Sequence, residues 1–121
     1  MMTGRVENRH ALLEVTFRLS DRPDLTIECV IDTGFTDALC VPAGAVAALG
    51  LPYAFDFPAS LADGTRVLLA AHEATIIWDG TERRTYLLAT GERPIIGTAL
   101  LDGTELVVQF GEGGLVSVEA L

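Results

Sequence analysis

Three copies of one turn-forming triplet, Asp-Gly-Thr at residues 63–65, 79–81 and 102–104, limit what this chain can become. Asp-Gly readily adopts the positive backbone angles that tight hairpin turns demand. The first two copies stand between strand-forming runs: Trp78 to Thr81 joins a strand near 70–78 to one near 82–89, and Leu61 to Arg66 makes an earlier hairpin tip. The spacings, 16 and then 23 residues, differ, so the triplet marks shared turn chemistry and not an internal repeat. Upstream, Ala11, Leu13, Val15, Phe17 and Leu19 alternate with Glu14, Thr16 and Arg18, the pattern of a half-buried strand. Residues 25–32 and 38–41 are more continuously apolar and suit buried strands. Pro42, then 43–49, then Gly50 reads as a short helix with proline at its start and glycine past its end. Thr104 to Phe110 alternates again, with Leu106, Val108 and Phe110 on one face, and a glycine turn at 111–114 leads to a last strand near 115–119. Eight or nine short strands with one or two short helices make the chain all-β, a small closed or nearly closed barrel in a single domain, 1–121.

Charge and composition narrow the partners. Seventeen acidic against eight basic residues give a net charge of −9, which repels a phosphate backbone or an anionic lipid surface. Half the residues are hydrophobic, which argues for a folded core with apolar surface left over for a partner. The opening MMTGRVENRH contains no apolar signal core, and the uncharged stretch from Val41 to Phe55 is broken by Pro42, Gly44, Gly50 and Pro52. The expected setting is the cytoplasm, without a membrane span. Cys29 and Cys40 read as two buried free thiols; a disulfide across the intervening turn and a reactive thiol are the alternatives, and no base lies nearby in sequence to activate one. Two cysteines with distant His10 and His72 offer no zinc cage.

The chemistry-bearing stretch is Cys29-Val30-Ile31-Asp32-Thr33-Gly34-Phe35-Thr36, where a strand delivers a carboxylate straight into a tight turn. A strand end followed by an ordinary turn is the plain reading. Asp-x-Gly-x-Thr also resembles a phosphate loop of the actin-like ATPases, but this chain has neither βαβ alternation nor a second lobe. A dehalogenase-type phosphatase needs a second aspartate where Gly34 stands. A partner signal lies about 60 residues on: Pro94-Ile95-Ile96-Gly97-Thr98-Ala99-Leu100-Leu101, two apolar residues and a glycine leading into a short helix capped by Thr98.

With both elements present, the sequence resembles the retropepsin-like aspartic proteases, most closely their small bacterial single-domain members, along nearly the whole chain. The resemblance implies that Asp32, Thr33 and Gly34 form the catalytic loop and that the segment around Gly97 threads against it. It also implies that Ile31, Ile95, Ile96 and Leu100 make a supporting apolar shell, and that the hairpin tip Ala62, Asp63 and Gly64 is a flap over the substrate. One position departs from the family's pattern: Phe35 follows Gly34 where related enzymes carry Ala or Ser, which bears on packing at the carboxylates more than on the fold.

Aspartate-catalysed peptide hydrolysis needs one carboxylate as base and another as acid, sharing a proton at about 3 Å. This chain has one Asp-Thr-Gly, so a homodimer must bring Asp32 to its own copy across a two-fold axis. The expected activity is therefore a homodimeric aspartic endopeptidase acting on extended peptides without metal, nucleotide or other cofactor. The competing reading is a catalytically silent dimeric β-barrel that binds peptides or proteins. Asp37 reads as a turn residue, His72 as a core or interface histidine, and Arg83-Arg84 as solvated strand charge. Tyr53, Phe55 and Phe57 read as packing residues that could line a pocket near the flap base.

Overall fold

A computed structural model describes residues 1–121. In chain order it comprises strands β1 (Met2–Glu7), β2 (His10–Arg18), β3 (Leu25–Ile31) and β4 (Leu39–Val41), helix α1 (Ala43–Leu49), strands β5 (Tyr53–Ser60), β6 (Arg66–Trp78), β7 (Thr81–Ala89) and β8 (Ile95–Ile96), helix α2 (Thr98–Leu101), and strands β9 (Thr104–Val108) and β10 (Leu115–Ala120). All ten strands belong to one sheet in the order β5-β6-β7-β4-β8-β3-β2-β1-β10-β9. A further pairing of β2 with β6, through Thr16 with Ile77, Phe17 with Ile76 and Arg18 with Thr75, closes six of them into a ring. The all-β class holds. No helix is long and apolar enough to cross a membrane.

The ring forms because strand alternation sends one set of side chains inward. Leu13, Val15 and Phe17 from β2 meet Leu39, Ile76, Leu87, Ile96 and Leu100, all essentially inaccessible to solvent. Each such burial contributes roughly 1.5–3 kcal/mol before the cost of chain ordering. The intervening Glu14 and Arg18 are exposed and Thr16 is only half-buried, as the alternation predicts. Between β6 and β7, Asp79 and Gly80 both adopt positive φ (52° and 79°), as a two-residue hairpin of the primed type requires. The β5–β6 tip closes differently. Only Gly64 is left-handed there, and Asp63 accepts the Thr65 N–H at 2.9 Å while the Leu61 N–H reaches the Thr65 carbonyl at 2.8 Å.

Several local expectations change. The polar N-terminus forms β1, because β2 and β10 supply backbone partners on both sides and Val6 alone needs burying. The alternation expected to reach Phe110 stops at Val108: residues 109–114 fold back onto β1, with the Gly113 N–H on the Val6 carbonyl, and Phe110 is left 73% exposed. Thr98 does not cap α2. Gly97 holds the cap position without a side-chain bond, and Thr98 is the first helical residue. Arg84 is exposed and paired with Glu73, but Arg83 is half-buried and reaches the Leu100 carbonyl at 3.5 Å, so only one of the two is a solvated strand charge. Cys29 and Cys40 are both free and buried.

Candidate active site

Strand β8 is only two residues long, yet it lies between β3 and β4: parallel to β3 through Val30 with Ile95 and Ile31 with Ile96, antiparallel to β4 through Leu39 with Ile96 and Cys40 with Ile95. Those two strands are joined by the loop that carries Asp32-Thr33-Gly34, so β8 is threaded through the loop's base. The Asp32 N–H bonds the Ile96 carbonyl (2.9 Å), the Gly97 N–H bonds Ala38 (2.9 Å), and the Thr98 N–H bonds Phe35 (2.8 Å). Gly97 is required by proximity, since its backbone is extended at φ −104°. A Cβ there would lie 1.9 Å from the Asp37 carbonyl oxygen and 2.6 Å from both the Phe35 ring and the Phe35 carbonyl.

The loop turns on Asp32 itself. Its Oδ1 accepts the Gly34 N–H at 2.9 Å and its carbonyl accepts the Phe35 N–H at 3.1 Å, a side-chain-closed turn that fixes the carboxylate's direction. Asp32, Thr33 and Gly34 are all exposed, and the Thr33 hydroxyl has no partner within its own chain. Asp37 supplies only its carbonyl to the contact with Gly97. His72 is half-buried, with Nδ1 3.0 Å from the Leu51 carbonyl and its ring edge-on to Tyr53, and so lies among packing contacts. No group of three or more His, Cys, Asp or Glu side chains is placed to hold a metal ion.

The expected apolar shell divides between two faces. Ile96 and Leu100 are fully buried inside the ring, and Ile31 packs against that core. Ile95, one residue from Ile96, points the other way. Pairing registers place Phe55, Ala71, Leu88, Cys40, Ile95, Val30 and Leu12 side by side across seven adjacent strands, on the outer face of the ring. Strand alternation puts Asp32 on the same side as Val30. The same face of the β5–β6 hairpin carries Phe57, Ala59, Val67 and Leu69, all half-buried, whereas Asp56, Pro58, Ser60, Arg66 and Leu68 on its back are exposed. Ala62, Asp63 and Gly64 are exposed at the hairpin's tip. An apolar row thus runs from the hairpin to the strand that delivers the carboxylate, with Ala71, Leu88, Cys40, Val30 and Leu12 buried and Phe55 and Ile95 keeping exposure, and sequence reading missed it because it exists only through register.

No family model matches the sequence, and no curated protein matches it. Solved structures do. The EIAV protease complexed with the inhibitor HBY-793 superposes with a TM-score of 0.61 at 19% identity, covering 84% of this chain and 95% of that one. A retropepsin-like aspartic protease from Rickettsia conorii gives a TM-score of 0.57 at 17% identity, covering 98% of this chain and 93% of that one. The chain adopts the retropepsin-like fold. Within this retropepsin-like barrel the shifted groups Asp63, Cys29 and Cys40 have structural causes. Hydrogen bonds from Thr65 hold the Asp63 carboxyl below its ordinary range. Burial, with help from Glu28, pushes the Cys29 thiol up to about 12, and burial also raises Cys40, so both stay protonated and unreactive near neutrality.

Proposed function

We propose that the protein is a homodimeric aspartic endopeptidase in which the Asp32 carboxylates of two chains share one proton and activate a water molecule. The observation that carries this reading is the exposed Asp32. It is locked in direction by Gly34 and by the threaded β8, and it follows a strand whose Val30 belongs to the outer apolar row. Two such groups about 3 Å apart cannot both ionise. The ionised one takes a proton from water as the water oxygen bonds the peptide carbonyl carbon, and the protonated one gives its proton to the carbonyl oxygen. Collapse of that intermediate moves a proton to the amide nitrogen, the C–N bond breaks, and a carboxyl and an amine leave. The unpartnered Thr33 hydroxyl is suited to bond the opposite loop and hold the two carboxylates coplanar.

The substrate lies extended between this floor and the β5–β6 hairpins, whose Ala62-Asp63-Gly64 tips act as flaps. The dimer's charge of 2 × (−9) = −18 disfavours strongly acidic peptides. The test is cleavage of a mixed peptide library between about pH 3 and 7 by wild type and Asp32→Asn, with sedimentation run on the same samples. Wild type alone should cut, as a dimer. Activity in Asp32→Asn, or a monomer at micromolar concentration that substrate does not associate, refutes the mechanism. Peptide binding without cleavage by either protein points to the peptide-binding module instead.

A further inference from the structure

The outer row ends on two aromatic residues that core packing does not use. Phe55 and Tyr86 remain 40% and 53% exposed, yet their rings meet edge-to-face with centroids 5.1 Å apart. They sit on β5 and β7, which flank β6 at Ala71, so the contact reaches across that strand at a small residue. Tyr86 shares its face with Leu88, and Leu88 continues through Cys40 and Ile95 to the strand that delivers Asp32. At one end the patch is bounded by the Glu73–Arg84 ion pair, which cancels its own charge. The two rings of this ledge themselves carry no charge in a chain of net charge −9, and both keep solvent exposure.

We propose that Phe55 and Tyr86 form a specificity-determining subsite that takes an aromatic or large apolar side chain of an extended peptide, some residues away from the bond that is cut. The assignment rests on the peptide-cleft reading above. Strand β7 stands three strand spacings from β3, about 14 Å. An extended peptide advances about 3.3 Å per residue, so it reaches the ledge roughly four residues from the carboxylates. An edge-to-face pair presents ring faces and edges to a third ring in the geometry aromatic groups favour, and its two side chains are already ordered by each other, which lowers the cost of binding.

The test uses the full-length Asp32→Asn protein, so that binding is read without turnover. Fluorescein-labelled decapeptides carry a single Phe walked through a Ser/Gln background, and anisotropy reports their affinity. One Phe position should tighten binding about tenfold over the Phe-free peptide. Phe55→Ala and Tyr86→Ala should each bring that gain to within about twofold of the Phe-free peptide, while Tyr86→Phe and Phe55→Leu, which keep the packing, retain most of it. A positional gain that survives both alanine variants overturns the subsite, as does the absence of any positional gain. Wild-type cleavage of the same peptides reports separately on Asp32, so a protein that binds with this preference but never cuts sinks the catalytic reading and leaves the ledge standing.

Discussion

Replacing Gly97 with alanine adds one methyl group at the point where β8 passes through the Asp32 loop. Three atoms block it: the Asp37 carbonyl oxygen at 1.9 Å, the Phe35 ring at 2.6 Å and the Phe35 carbonyl at 2.6 Å. Two are backbone and cannot rotate away. Making room requires the loop to lift off β8, which lengthens or breaks the Gly97–Ala38 and Thr98–Phe35 hydrogen bonds. Two such bonds at about 1 kcal/mol each, with about 1–3 kcal/mol for overpacking, give a loss of about 3–5 kcal/mol. At about 4 °C per kcal/mol for a domain of this size, the melting temperature should fall by about 12–20 °C. Gly44→Ala is the matched control, because no atom lies within 4 Å of its added Cβ inside α1. It should stabilise by roughly 0.5–1 kcal/mol through helix propensity. Urea unfolding of both variants against wild type decides the matter. A Gly97→Ala protein within 0.5 kcal/mol of wild type would mean that the loop is not clamped as described.

Ile96→Ala should cost about 2–5 kcal/mol, since it opens a cavity in the ring, whereas Ile95→Ala should cost under about 1 kcal/mol yet weaken peptide binding. Calorimetric unfolding and peptide anisotropy on the two variants test that split, and equal destabilisation would contradict the opposite facing of these neighbours. The Cys29 thiol sets a pH dependence. Its folded pKa is raised to about 12 from 9.0, so the native state holds its proton where the unfolded chain releases it. Its contribution is fully present below pH 9 and is lost as pH rises toward 12, at up to about 1.4 kcal/mol per pH unit. Urea midpoints between pH 8 and 11 should show this slope in wild type and a shallower one in Cys29→Ala.

Much of the architecture was written in local chemistry. Asp-Gly pairs mark hairpins because few other residues tolerate their angles, and Leu13, Val15 and Phe17 mark an inward face because nothing polar interrupts their alternation. The pairing of Asp32-Thr33-Gly34 with Ile95-Ile96-Gly97 was legible through the resemblance that the two motifs carry together, and the structure adds the reason for the second glycine, which has no room for a Cβ. What stayed hidden depends on neighbours. Strand β1 owes its existence to backbone partners on both sides, which its own polar residues do not announce. A two-residue strand carries no alternation to read, so the opposite facing of Ile95 and Ile96 emerges only from pairing. The Phe55–Tyr86 contact skips a strand, and no spacing within one segment encodes that.

The threading of β8 also imposes an order of events on biosynthesis. The segment that clamps the Asp32 loop arrives some 60 residues after the aspartate itself, and the intervening hairpins must leave a gap between β3 and β4 for it to enter. A nascent polypeptide emerging from the ribosome therefore displays its carboxylate long before it can aim it. If the site cuts peptides, its competence is postponed until β8 has been synthesised and threaded, a delay built into the topology and needing no separate inhibitor.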